Sequence, residues 1–453
     1  MLGWLYVTLE RWVCARSSRL DRFCRRIPRG YVQRLSEAKL VRTLRYAWRR
    51  SPAQRERWRN AGVKFRDLRS ANVLRHIPFM TGSDLVERPE AFFCVPEDEL
   101  IHMVGSSGTT GAHKRIFLTQ EDLEHQVCML GALVRRFPGV KRAAAMLLLD
   151  DPSWCAGTIA RRSFEEARVF GLLANTSRDI HDQVELLRNY HIDLLMSTPA
   201  YVHRLALESH VPVSELGLKY LMVGGQSFTE TFRAEMEAAW GAKLINSYAS
   251  AETLCGLASE CPVQDGLHVA EGDHWLEIVD PTTGEVLDEG DEGEIVMTTL
   301  SRRGMPLVRY RTKDLASFLP RGERCACGMP LRKISRIRGR TDDMLIIGTG
   351  NNVYPDEVDA AVLAIPGVTD YQLTVEKDGY RDVVHLVVES SDGLDTLKSA
   401  LFDALMQVNS IRVSHDHTKT LTVGRLEVVR PGELSQGRPK TRRIVDRRAT
   451  GPS

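Results

Sequence analysis

The sequence predicts an α/β protein with a large N-terminal domain, a β-rich subdomain and a small α+β C-terminal domain, and three observations predict it. Apolar runs at residues 143–149, 192–196, 220–223 and 244–245 alternate with helical stretches at 180–190 and 229–240, the pattern of parallel βαβ units. Beyond residue 265 the style changes to strands divided by turns, at 274–279, 281–284 and 294–298. A further break falls at Arg338-Gly-Arg-Thr-Asp-Asp343, after which come a helix near 355–363, a strand at 383–388, a helix near 394–408 and a basic tail. With 453 residues the chain is too long for one ordinary core, so an internal cleft is expected.

Composition narrows the class. Apolar residues at 43% and charged residues at 26% suit a soluble globular protein, and a formal net charge of +2 gives no general case for nucleic-acid binding. No apolar run approaches the roughly 20 residues needed to cross a bilayer. The apolar start at residues 1–7 lacks a preceding basic segment and is cut short by Glu10 and Arg11, which makes a poor signal peptide. Arg16, Arg19, Arg22, Arg25 and Arg26 then suit a solvated helix face packed on the body, with a basic amphipathic helix touching a membrane or partner as the other reading, and residues 35–60 form a helical, arginine-rich region. Pro78 through Asp84 supplies helix-start chemistry. Nine scattered cysteines form no small secreted framework, so a reducing, cytoplasmic setting is expected.

The stretch Val104-Gly-Ser-Ser-Gly-Thr-Thr-Gly-Ala-His-Lys114 carries the first chemistry. Gly105, Gly108 and Gly111 allow successive N–H groups to approach an anion, Ser106, Ser107, Thr109 and Thr110 add hydroxyl donors, and Lys114 adds charge. Short apolar runs at 101–104 and 115–118 make it a hairpin-like loop inside a domain, and the run matches neither GxxxxGK[ST] nor GxGxxG. Two further segments, Gly224-Gly-Gln-Ser227 and Tyr248-Ala-Ser-Ala-Glu252, follow expected strand ends, where α/β sheets collect ligands.

With Tyr310-Arg-Thr-Lys-Asp314, Gly339-Arg-Thr-Asp-Asp343 and Lys440, these segments form an ordered series that resembles the adenylate-forming superfamily. The text IRGRTDDMLIIGTGNNVYPDEVD and GEIVMTTLSRRGMPLVRYRTKDLA is similar to the phenylacetate–CoA ligase-like branch, and the resemblance runs from about residue 46 to 448. It implies layered mixed sheets and a mobile C-terminal domain, with residues 1–100 as the helical part of the large domain, 101–341 as its nucleotide-binding core and 342–453 as the small domain after a hinge.

The resemblance also implies a two-step reaction: a carboxylate attacks the α-phosphate of ATP to give an acyl-adenylate and pyrophosphate, and a thiol, usually that of CoA, then takes the acyl group. By it, Ser106, Ser107, Gly108, Thr109, Thr110, Gly111 and Lys114 wrap the terminal phosphates. Tyr248 lies on one side of the adenine, with Gly224, Gly225 and Gln226 on the other. Glu252 holds Mg²⁺, Asp314 accepts from the ribose hydroxyls, Arg340 contacts phosphate, Asp342 is the hinge, and Lys440 bridges the attacking carboxylate and the α-phosphate. Lys440, Arg443 and Asp446 keep the family's terminal register, and Arg311 reads as structural.

Cys325 and Cys327 put two thiols on one glycine-containing turn, and Cys261 and His268 flank another loop. The four meet the demand of a structural Zn²⁺, which some relatives in the branch carry; buried thiols with a hydrogen-bonded histidine are the other reading. Three departures stand out. Ala251 and Ala249 occupy places where the family has a hydroxyl residue and glycine. The loop 348–352 is one residue longer, which leaves CoA, a carrier-protein thiol or an amine open as acceptor. Leu149-Asp-Asp-Pro-Ser-Trp-Cys155 lacks the glycine- and tyrosine-rich run of phenylacetate-activating enzymes, so another small carboxylic acid is expected. Asp150 and Asp151 face an amine or hydroxyl of that acid or cap the next helix. A non-catalytic nucleotide-binding homologue and a homodimer also stay open.

Overall fold

A computed structural model describes residues 16–105, 114–147, 156–226, 228–254, 256–320, 324–341, 345–347, 351–379, 381–434 and 443–448. Two compact units emerge, one of Met1–Gln226 with Glu235–Ile337 and one of Ser227–Ala234 with Arg338–Ser453.

In the larger unit the arginine-rich N-terminal region forms helices Ser17–Arg26, Arg29–Arg50 and Pro52–Asn60. The helical region expected over 35–60 is divided at Ser51, because Pro52 cannot supply the N–H that would continue the first helix. Pro52 instead occupies the first turn of the next helix, whose Gln54 N–H is capped by the Ser51 hydroxyl at 3.3 Å. Leu40, Leu44, Ala47 and Trp48 recur at helical spacing and are buried with Trp58 and Leu68. Thr81 opens the short helix Gly82–Glu87.

Strands β1 (Leu100–Gly105) and β2 (Arg115–Thr119) pair antiparallel with Gly105 opposite Arg115, so the glycine- and hydroxyl-rich segment does join two strands of a hairpin. Its residues 106–113 lie outside the described ones. The helix Gln120–Val134 follows directly, with the Thr119 hydroxyl and Asp122 carboxylate capping it reciprocally.

The central sheet holds β3 (Arg142–Leu147), β4 (Phe170–Asn175), β5 (Leu194–Ser197), β6 (Tyr220–Gly224), β7 (Lys243–Tyr248), β8 (Ala258–Ser259) and β9 (Leu267–Val269). Their order, from β13 (Lys333–Ile334) inward, is β13-β9-β8-β7-β6-β5-β3-β4. From β4 to β7 the pairing is parallel, as the alternation of apolar runs and helices requires. From β7 to β13 it is antiparallel, which the spacing did not reveal. A second layer pairs β10 (His274–Val279), β11 (Glu292–Thr299) and β12 (Tyr310–Ser317) antiparallel. This is the expected β-rich part. Leu194, Ile245, Leu267, Ile278, Ile295 and Tyr310 meet in one core joining the two layers.

The smaller unit contains β14 (Gly339–Arg340), the hairpin β15 (Leu345–Ile347) and β16 (Asn351–Val353), and a sheet of β17 (Val368–Asp378), β18 (Arg381–Ser390), β19 (Leu421–Val429) and β20 (Ile444–Asp446). The sheet order is β19-β18-β17-β20. Helices Pro355–Val362 and Leu394–Gln407 supply Val358, Val362, Leu401 and Leu405 to a core with Tyr371, Leu373 and Leu386. Among the described residues no helix is long and apolar enough to cross a membrane.

Candidate active site and cysteine–histidine cluster

Two of the sequence's candidate segments sit at the carboxyl ends of adjacent parallel strands. Gly224 ends β6, and a Cβ there would come within 2.5 Å of the Ser247 carbonyl oxygen on β7, so only glycine lets the strands close. Gly225 follows with φ +79°, and the Gln226 side-chain oxygen accepts from the Ala200 N–H at 3.2 Å. Tyr248 ends β7, after which a tight turn, with the Ser250 N–H donating to the Thr253 hydroxyl at 2.8 Å, carries Glu252 into a buried position.

Strand periodicity supplies the opposite wall. Along β12 the inward positions are Tyr310, Thr312 and Asp314, all buried. Thr312 donates its hydroxyl proton to the Ile295 carbonyl at 2.8 Å and accepts from the Asp314 N–H at 3.1 Å, fixing the backbone where Asp314 begins. The Tyr248 hydroxyl donates to Asp314 Oδ2, so the residues assigned to adenine and ribose are joined to each other. Burial, and then the neighbouring Asp314 charge, push the Tyr248 hydroxyl well above the usual phenol range.

Glu252 gathers the cationic end. Its Oε1 accepts from Lys114 Nζ at 2.7 Å and from the Tyr310 hydroxyl at 2.6 Å, while Arg302 Nη2 donates to its carbonyl at 2.8 Å. The Lys114 ammonium also stands 5.8 Å from the centre of the Tyr310 ring. Burial alone would raise this carboxyl, but the Lys114 charge and the two hydrogen bonds outweigh it and hold the group at about 2. The result is a buried, ionised carboxylate held between a lysine ammonium and a tyrosine hydroxyl.

Lys114, Glu252, Tyr248 and Asp314 are therefore brought together, with Gly224, Gly225 and Gln226 at the neighbouring strand end. Ser106, Ser107, Gly108, Thr109, Thr110, Gly111, Asp342 and Lys440 lie outside the described residues, and Arg340 lies half-buried on β14 in the smaller unit. Arg311 has a structural partner, the fully buried Glu294, and donates to the Pro281 carbonyl at 2.6 Å. Sequence reasoning passed over Tyr310 and Arg302. Both stand in the motif text GEIVMTTLSRRGMPLVRYRTKDLA, but only the structure reveals that they converge on Glu252.

A second cluster forms where β13 pairs with β9, with Lys333 opposite His268. That pairing carries the turn holding Cys325 and Cys327 to the loop between β8 and β9. The ligand atoms of Cys261, His268, Cys325 and Cys327 all lie within 4.8 Å of one another. Tetrahedral zinc with Zn–S of about 2.3 Å and Zn–N of about 2.0–2.1 Å separates two sulfurs by about 3.8 Å and a sulfur from a nitrogen by about 3.6 Å. Here Cys261 Sγ and Cys325 Sγ are 3.9 Å apart, and Cys327 Sγ and His268 Nε2 are 3.4 Å apart. The hydrogen bond from Cys327, against the opposing effect of burial and with help from His268, draws the Cys261 thiol well below the usual thiol range, while Cys327, its coupled partner, is pushed up.

Residues 31–301 match the AMP-binding enzyme family, and residues 350–448 match the AMP-binding enzyme C-terminal domain. The phenylacetate-coenzyme A ligase of Thermus thermophilus is 33% identical over 443 residues, covering 93% of this chain and 98% of that protein. The Pseudomonas putida enzyme of the same name is 32% identical, covering 77% and 79% of the two chains. Among solved structures, 2-hydroxyisobutyryl-CoA ligase in the postadenylation state with 2-HIB-AMP is similar with a TM-score of 0.80 at 22% identity, covering 93% of this chain and 90% of that one. A match over most of the chain leaves one assignment: the chain belongs to the AMP-binding enzyme family, in its phenylacetate–CoA ligase-like branch.

Proposed function

We propose that this protein is an AMP-forming acid–CoA ligase. A carboxylate oxygen attacks the α-phosphorus of ATP, the bond from that phosphorus to the bridging oxygen breaks, and pyrophosphate leaves. The thiolate of CoA then attacks the acyl carbon, the carbon–oxygen bond of the mixed anhydride breaks, and AMP leaves. The observation that carries this reading is the junction of Lys114, Glu252 and Tyr310 beside the Tyr248–Asp314 pair, which suits phosphate at one end and nucleoside at the other. Displacement of this kind gains most from charge neutralisation and alignment.

Each residue has a defined task. Asp314 accepts from ribose hydroxyls, and the Tyr248 hydrogen bond orients its carboxylate. Gly224, Gly225 and Gln226 border the adenine, and Lys114, with Ser106, Ser107, Gly108, Thr109, Thr110 and Gly111, holds the departing phosphates. A buried, ionised carboxylate is a hard oxygen donor, so Glu252 fits Mg²⁺, which when bound supplies charge neutralisation to phosphate oxygens. Arg340 contacts phosphate and Asp342 is the hinge. Cys261, His268, Cys325 and Cys327 fit a structural Zn²⁺ and leave no ligand position for substrate.

Lys440 bridges the carboxylate and the α-phosphate. Lys440→Ala is expected to abolish acid-dependent ATP–pyrophosphate exchange while sparing transfer from a supplied acyl-adenylate; equal loss of both halves would refute the role. The function as a whole is tested by following AMP over a panel of small carboxylic acids with and without CoA. Acid-dependent AMP release that requires CoA is the expected result. Release that a carrier-protein thiol supports and CoA does not would change the acceptor, and nucleotide binding without turnover would overturn the enzyme assignment.

A further inference from the structure

The larger unit contains a second cleft, of about 860 Å³, that none of Lys114, Tyr248, Glu252, Tyr310 or Asp314 lines. One wall is a single face of helix Arg29–Arg50, where Lys39, Arg42, Thr43, Tyr46 and Arg50 recur at helical spacing. Helices Gln120–Val134 and Ala156–Ala167, the connection between β11 and β12, and the segment of residues 94–99 supply the rest. Six cations line it, Lys39, Arg42, Arg50, Arg162, Arg302 and Arg303, against four carboxylates.

Those carboxylates are already engaged. Arg303 binds Glu99 at 2.9 Å and Glu121 at 3.0 Å, the Ser17 N–H donates to Glu166 at 2.8 Å, and the Gln120 amide donates to Glu124 at 2.7 Å. The guanidiniums of Arg50 and Arg162, by contrast, have no hydrogen bond or ion pair with any of the described residues. At the floor two cations are buried: Lys39, 4% exposed, donates to the Ser301 hydroxyl at 2.6 Å, and Arg302 is 8% exposed. Desolvated cations below and guanidiniums above favour an anion with more than one charged group, because guanidinium pairs with carboxylate or phosphate through paired hydrogen bonds. The volume matches that of small-molecule sites.

We propose that this cleft binds a small organic anion carrying two or more phosphate or carboxylate groups, at a site separate from the nucleotide's. Its floor adjoins the reaction site, since Arg302 donates to the Glu252 carbonyl at 2.8 Å. Calorimetry on the full chain, saturated with ATP in the absence of acid, tests this with fructose 1,6-bisphosphate and citrate as probes. One of them should bind once per chain, the phosphate or carboxylate probe that binds more tightly identifying the ligand class. The double variant Arg50→Glu, Arg162→Glu should weaken binding at least about tenfold with its melting temperature unchanged. The proposal is overturned if neither probe binds more tightly than about 1 mM, if ATP displaces the probe, or if the folded double variant binds as well as the parent.

Discussion

Glu252 in the larger unit and Asp359 in the smaller one are the same device put to opposite uses. Each is a buried carboxylate, each accepts from a tyrosine hydroxyl at 2.6 Å, from Tyr310 and Tyr371 respectively, and each faces one cation, Lys114 at 2.7 Å and Arg443 at 3.1 Å. Yet Glu252 is held at about 2, whereas burial pushes Asp359 above the usual carboxyl range. The difference lies in the balance between burial and the neighbouring charges. Arg443 also pairs with Asp370 at 2.9 Å, whose own charge pushes Asp359 further up, while Lys114 leaves Glu252 decisively ionised. At Asp359 burial prevails over the nearby Arg443, whereas at Glu252 the Lys114 charge and two hydrogen bonds prevail over burial.

That contrast is open to direct attack. The largest effect expected is on activity: Glu252→Gln should lower kcat/KM for ligation by about 10²–10³, while Asp359→Asn stays within a few-fold of the parent. Steady-state kinetics checks both, and comparable losses would erase the distinction.

Stability should part the two variants in the same direction. A carboxyl whose folded pKa is depressed stabilises the fold above its unfolded pKa and loses that contribution as pH falls through the folded value. For Glu252 the window runs from the ordinary 4.5 down to about 2, equivalent to about 3 kcal/mol. Asp359 is raised, so its contribution is present at low pH and declines as pH rises above the ordinary 3.8. Denaturant unfolding at neutral pH should therefore show Glu252→Gln losing more stability than Asp359→Asn. Between pH 4.5 and 2 the Glu252→Gln variant should lose less than the parent.

A smaller loss is expected from the cysteine–histidine cluster. Purified protein should carry about one zinc per chain, and Cys325→Ser should release it and cost more than about 2 kcal/mol of stability without moving KM for ATP. Metal analysis far below one equivalent would remove zinc from the account. The smallest effect is a gain. Lys313, next to Asp314, has φ +67°, a left-handed conformation costing about 1 kcal/mol for a side chain with a Cβ. Lys313→Gly should raise stability by about that amount, as thermal unfolding would show.

Much of this was legible in the sequence because it is local. The apolar run at 143–149 became β3, Arg142–Leu147, and the helix near 394–408 became Leu394–Gln407. Lys114, Glu252, Tyr248 and Asp314 were nameable because each sits in a short sequence motif. What stayed hidden depends on pairing between distant segments. No spacing indicates that β13 lies on β9, so the meeting of Cys325 and Cys327 with Cys261 and His268 was expected from ligand type and resemblance, and the pairing that brings them together was not readable. Tyr310 and Arg302 were readable as motif letters, but their convergence on Glu252 needs β12 opposite the turn after β7.

The most direct measurement is acid-dependent exchange of radiolabelled pyrophosphate into ATP in the absence of CoA. The parent and Asp359→Asn should both exchange, and Glu252→Gln should fall by about 10²–10³. Undiminished exchange in Glu252→Gln, or cleavage of ATP to ADP and phosphate by the parent, would contradict acyl-adenylate formation at this site.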